Sequence, residues 1–68
     1  MGNRQRIYKY VLGLKLPFRV SDIIIWANRN NISDEDGIVE QIVDDMKDKG
    51  LIKYSEIERN VWAYNTVY

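Results

Sequence analysis

Between residues 4 and 14 the apolar side chains fall at Ile7, Tyr8, Val11, Leu12 and Leu14. That three-and-four spacing predicts a helix over 4–14, with Arg6 and Lys9 pointing away from its buried side. Pro17 cannot continue a helix and pushes its predecessor toward extended geometry, so 16–20 reads as a short strand with Phe18 and Val20 on its inner face. Ser21 is placed as an N-cap and Asp22 suits the positive end of a helix dipole. Ile23, Ile24, Trp26 and Ala27 then form the apolar stripe of a second helix over 22–30, which Asn30 and Asn31 can stop in a left-handed conformation. Ser33 followed by Asp36 resembles a capping box, and Ile38, Val39, Ile42, Val43 and Met46 give a third helix over 34–49, closed by Gly50. The segments 51–57 and 61–68 are β-branched and aromatic, and the intervening Glu58, Arg59 and Asn60 make them a hairpin. Period two separates Trp62, Tyr64, Thr66 and Tyr68 from Val61, Ala63, Asn65 and Val67.

With 68 residues and 46% apolar content, the chain makes one domain, 1–68, around one small core. Cysteine and histidine are both absent, which removes disulfides, the thiol nucleophile, the commonest general base and the usual zinc ligands. The three serines fall at expected caps (Ser21, Ser33) or in a strand (Ser55), with no base to activate them. Catalysis, metals and cofactors are therefore not expected. No segment approaches the roughly 20 apolar residues of a membrane helix, and the N-terminus lacks a signal-peptide core. A cytoplasmic, intracellular protein is the expectation.

Charge changes the picture more than composition does. Residues 1–20 carry Arg4, Arg6, Lys9, Lys15 and Arg19 and no acid, whereas 21–49 carry eight acids against Arg29, Lys47 and Lys49. The net charge of zero thus conceals opposed blocks. On the third helix, Glu40, Asp44 and Asp48 lie one turn apart, opposite the apolar stripe, and form an acidic ridge. Like charges at this spacing cost a few tenths of a kcal/mol each, which pairs such as Asp44 with Lys47 and Asp45 with Lys49 offset only in part.

Helix, short strand, helix, turn, helix and hairpin is an order that resembles the winged helix-turn-helix family over nearly the whole chain. The stretch Ser21-Asp22-Ile23-Ile24-Ile25-Trp26-Ala27 is similar to the family's second helix. Val43 to Ile52, above all Lys49-Gly50-Leu51-Ile52, is similar to the passage from its third helix into the wing. The resemblance implies a small α+β winged helix-turn-helix with three helices, a short strand between the first two and a C-terminal β-hairpin wing. It further implies a DNA-binding transcriptional regulator, often dimeric, that places the third helix in the major groove.

On that reading the DNA contacts are Arg4, Arg6 and Lys9 near the N-terminus, Arg29 at the end of the second helix, Lys53, Arg59 and Asn60 on the wing, and Gln41 as base reader. Double-stranded DNA would be held with modest, salt-sensitive affinity, because Glu40, Asp44 and Asp48 repel phosphate. The alternative is a protein-interaction winged helix, an adaptor or inhibitor that docks a basic partner on Glu40, Asp44 and Asp48 or pairs through the hairpin. Of Tyr54, Trp62, Tyr64 and Tyr68, one or two rings are expected to cap the core, which leaves Trp62 and Tyr64 as candidate contact residues for a partner or a second copy.

Overall fold

A computed structural model describes residues 2–67, so the strand position expected for Tyr68 lies outside the described residues. The elements are α1 (Asn3–Leu12), α2 (Val20–Arg29), a single 3-10 turn at Glu35–Gly37, α3 (Ile38–Asp48), β1 (Ile52–Glu58) and β2 (Val61–Thr66). The fold is a small α+β arrangement of three helices followed by a two-stranded antiparallel hairpin.

The three apolar stripes meet in one core. Ile7 and Val11 from α1, Ile23 and Ala27 from α2, and Val39, Ile42, Val43 and Met46 from α3 are buried together with Phe18, Ile32 and Ile52. Helix α3 is central, packing against α1, α2 and β1. Trp26 lies at the margin of this core, stacked on Tyr10 with ring centroids 4.0 Å apart and planes within 7°.

Helix ends are where the sequence expectations need correction. The first helix ends at Leu12, two residues short of the expected 14. The expected 16–20 strand is not formed: Phe18 alone makes a β-bridge, to Tyr64, and Val20 already belongs to α2. Phe18 and Tyr64 exchange both backbone hydrogen bonds, 2.9 and 2.8 Å. With a helix starting two residues later, no length remains for a longer ladder. Thr66 Oγ1 donates to the Leu14 carbonyl at 2.9 Å, which ties the end of β2 to the same connector.

Ser21 is not the cap of α2. The helix starts at Val20, and the Arg19 backbone N–H donates instead to Asp22 Oδ2 at 2.9 Å, the acid-to-backbone half of a capping box. Nor does Ser33 pair with Asp36 to start the third helix. Asp36 and Gly37 have φ of 56° and 66°, left-handed values that break any helix begun at 34. The helix starts at Ile38, and Asp34 Oδ1 reaches past the turn to accept the Val39 N–H at 3.1 Å. It ends at Asp48, one residue before the expected 49.

Both of the later helices stop by the same device. In α3, Gly50 takes φ 75°, its N–H bonds to the Lys47 carbonyl, and the Leu51 N–H bonds to that of Met46. In α2, Asn31 takes φ 60°, its N–H bonds to Asn28, and the Ile32 N–H bonds to Ala27 at 2.8 Å. These paired bonds satisfy carbonyls that the helix leaves open. In α2 the motif also turns Ile32 into the core, where it is 1% exposed.

The hairpin runs 52–58 and 61–66 rather than 51–57 and 61–68. Tyr54 faces Tyr64, Glu56 faces Trp62, and a register shift between Glu56 and Glu58 leaves Ile57 as the extra residue of a bulge. Asn60 takes φ 62° in the turn, with its N–H donating to Glu56 Oε2 at 3.1 Å.

Candidate functional site

The outer side of α3 presents Glu40, Asp44 and Asp48, all exposed, as the opposition between apolar stripe and ridge requires. Of the two expected offsetting pairs, Asp45 with Lys49 forms at 2.9 Å and is the one ion pair among the described residues. Asp44 has no such pair with Lys47. Among the described residues, therefore, no ion pair offsets the ridge.

The hairpin carries an aromatic face, one of whose rings, Tyr64, lies in the field of Asp44 and Glu40. Tyr54 lies 5.5 Å from Trp62 and 4.7 Å from Tyr64, centroid to centroid, and Tyr64 lies 5.9 Å from Phe18. The row begins in the core with Phe18 and reaches solvent at Tyr54 and Trp62, each 47% exposed. Together with Val20, Arg19 and Asn60, the three outer rings line a cleft of about 440 Å³. Arg19 was not singled out by sequence. Only the bridge at Phe18, which sets the start of α2 beside the hairpin, brings it there.

The Tyr64 phenol joins the two surfaces. Burial raises its pKa above the ordinary 10.0, and the nearby Asp44 carboxylate, the Tyr54 phenol and the Glu40 carboxylate push it the same way. The raised value means that the fold favours the neutral phenol, a stabilisation fully present below pH 10.0 and lost as pH rises through the folded-state value. In phenolate absorbance, the difference curve between the chain and a Tyr64→Phe variant should have its midpoint above 10.0. A midpoint at or below that value would contradict the burial of the phenol and, with it, the field of the carboxylates.

The cations expected to hold DNA do not gather at one place. Arg4 and Lys9 lie along a groove of about 370 Å³ between α1 and α3, floored by Tyr8, Leu12 and Ile42 and closed by Lys49. Lys49 lies 5.9 Å from the Tyr8 ring centroid, and its pKa is raised by the hydrogen bond and charge of Asp45 and by Tyr8. Arg6 turns the other way, donating from Nη2 to the Asn30 carbonyl at 3.4 Å near the end of α2. Arg29, Lys53 and Arg59 are exposed on α2 and the hairpin. Gln41, the expected base reader, is exposed but donates from Nε2 to the Asp36 carbonyl at 3.0 Å, bracing the turn before α3.

Among the described residues no group of acidic side chains is arranged to hold a metal ion, and no helix is long and apolar enough to cross a membrane. No family model, curated protein or solved structure matches the chain.

Proposed function

We propose that the chain is a small winged-helix interaction module, which docks a basic surface of a partner on the outer face of α3 and the adjoining aromatic rings of the hairpin. The observation that carries this reading is the exposed outer face of α3, where Glu40, Asp44 and Asp48 form no ion pair among the described residues, together with Tyr64, whose phenol lies in the field of Asp44 and Glu40 and belongs to the same cleft as Tyr54 and Trp62. Carboxylates attract ammonium and guanidinium groups, and ring faces hold the same cations through their quadrupole. A Lys- or Arg-bearing surface meets both. Phosphate meets repulsion, because duplex affinity rests on cations that release its counterions.

A second reading, DNA binding by a winged-helix regulator, draws on Arg19 and Asn60 lining one cleft and on exposed Lys53 and Arg59. In it the wing and the start of α2 would grip the backbone while α3 stays out of the groove.

Fluorescence anisotropy with two probes separates these readings: a labelled lysine- and arginine-rich peptide and a labelled mixed-sequence duplex, each at low and physiological salt. The peptide is expected to bind and the duplex to fail even at low salt. A Trp62→Ala variant, which changes no charge, should weaken the peptide about two- to fivefold, or ~0.5–1 kcal/mol for an exposed cation–π contact. Duplex binding without peptide binding would overturn the interaction reading in favour of DNA.

A further inference from the structure

We infer that the basic surface is carried by the chain itself: the groove between α1 and α3 of one copy receives the acidic outer face of α3 from a second copy. This rests on the interaction reading and supplies its partner. The groove joins an apolar floor, Tyr8, Leu12 and Ile42, to a cationic wall of Arg4 and Lys9 on α1 and to the Asp45–Lys49 ion pair on α3. Among the described residues, Arg4 and Lys9 pair with no carboxylate. Lys49 is held in place by Asp45 at 2.9 Å and by the Tyr8 ring. The groove thus has two of its cations uncommitted.

The complementary surface is of opposite charge and comparable length. Glu40, Asp44 and Asp48 follow each other at one-turn intervals, about 6 Å per step along the helix. Arg4 and Lys9, five residues apart on α1, are separated by about 7.5 Å of helix rise. The two cations leave α1 about 140° apart, yet both long side chains line the groove, so a helix laid along it brings the acidic ridge within reach of both. The overall charge of zero adds no net repulsion between copies, so the attraction between opposed blocks is not cancelled at long range.

Ridge and groove lie on different sides of α3, which contributes Ile42, Asp45 and Lys49 to the groove. The contact is accordingly heterologous. Each copy that has used its ridge still offers its groove, so association runs head to tail. A chain exposing 4848 Å² in all can commit only a small part of it to one groove. Such an interface belongs with the transient ones below about 1,200 Å², and it weakens as salt screens the charges.

Two paired variants test the inference by sedimentation velocity over a range of concentrations at low and raised salt. Glu40→Lys with Asp44→Lys destroys the ridge and keeps the groove; Arg4→Glu with Lys9→Glu does the reverse. All four residues are exposed, and circular dichroism verifies that each variant is folded. The parent chain should associate progressively with concentration at low salt and dissociate as salt is raised. Each variant alone should remain monomeric, whereas an equimolar mixture should form a one-to-one complex that grows no further.

A parent that stays monomeric at low salt overturns the inference, as does a mixture that forms no complex. The fate of the underlying reading is separate. If the parent stays monomeric yet binds the basic peptide, the partner is another protein; if it does neither, both fail.

Discussion

Replacing Phe18 by alanine is expected to remove a large part of the protein's stability. Phe18 is 4% exposed, belongs to the central core and exchanges both backbone hydrogen bonds with Tyr64. Truncating a buried phenylalanine costs about 3–5 kcal/mol, from lost transfer energy and the cavity that remains. At 0.05–0.15 kcal/mol per residue, a chain of this length has roughly 3–10 kcal/mol in total. One side chain therefore stands against a large part of the whole. Urea unfolding followed by tryptophan fluorescence and circular dichroism measures the loss. Leu16→Ala, two residues earlier and 77% exposed, should change stability by no more than about 0.5 kcal/mol. Equal midpoints for the two variants would contradict the role given to Phe18, and with it the start of α2 that sets Arg19 beside the hairpin.

The second large effect is functional. Each charge reversal at Glu40 and Asp44 adds two positive charges, so Glu40→Lys with Asp44→Lys takes the chain from zero to +4. Folding should be little affected, since both residues are exposed and the reversal leaves an i,i+4 pair of like charge in place of another. Binding of the basic peptide should fall by about tenfold or more, the equivalent of ~1.4 kcal/mol. Duplex DNA should become a ligand, with affinity falling steeply with salt at a slope near −0.9 per phosphate neutralised. Peptide binding that survives the reversal unchanged would remove the outer face of α3 from the site. A variant that loses the peptide and gains the duplex would identify the carboxylates as what keeps α3 from nucleic acid.

Much of this site was legible along the chain. The ridge follows from helical periodicity: once Val39, Ile42, Val43 and Met46 are buried, Glu40, Asp44 and Asp48 must face outward. Alternation in the second strand likewise put Trp62 and Tyr64 on one face. What was not legible was proximity. Tyr64 feels Asp44 and Glu40 across twenty or more residues of chain, and the groove joins Arg4 and Lys9 to Lys49 across forty or more. The Gln41 amide looked available to read a base, yet it reaches back to the Asp36 carbonyl, because left-handed Asp36 and Gly37 fold the preceding turn beneath it. Ile32 gave one local signal, an isolated apolar residue amid Asn28–Gly37. Its burial depends on the bond that its N–H makes to Ala27 after Asn31 turns left-handed.

The sequence by itself determined three helices and a hairpin, the apolar stripes that fill the core, a left-handed stop at Gly50 and another at Asn30 or Asn31, of which the structure uses Asn31, and the acidity of the outer face of α3. These depend on side-chain periodicity and local backbone preference, which act over a few residues and are written in order along the chain. Only the tertiary structure decided where α2 and α3 begin, that Phe18 forms a single bridge instead of a strand, and that the acidic ridge has Tyr64 of the aromatic cleft in its field and lies across α3 from a basic groove. Each of those depends on groups distant in sequence competing for the same hydrogen bonds and the same space, and that competition is settled only when the helices pack.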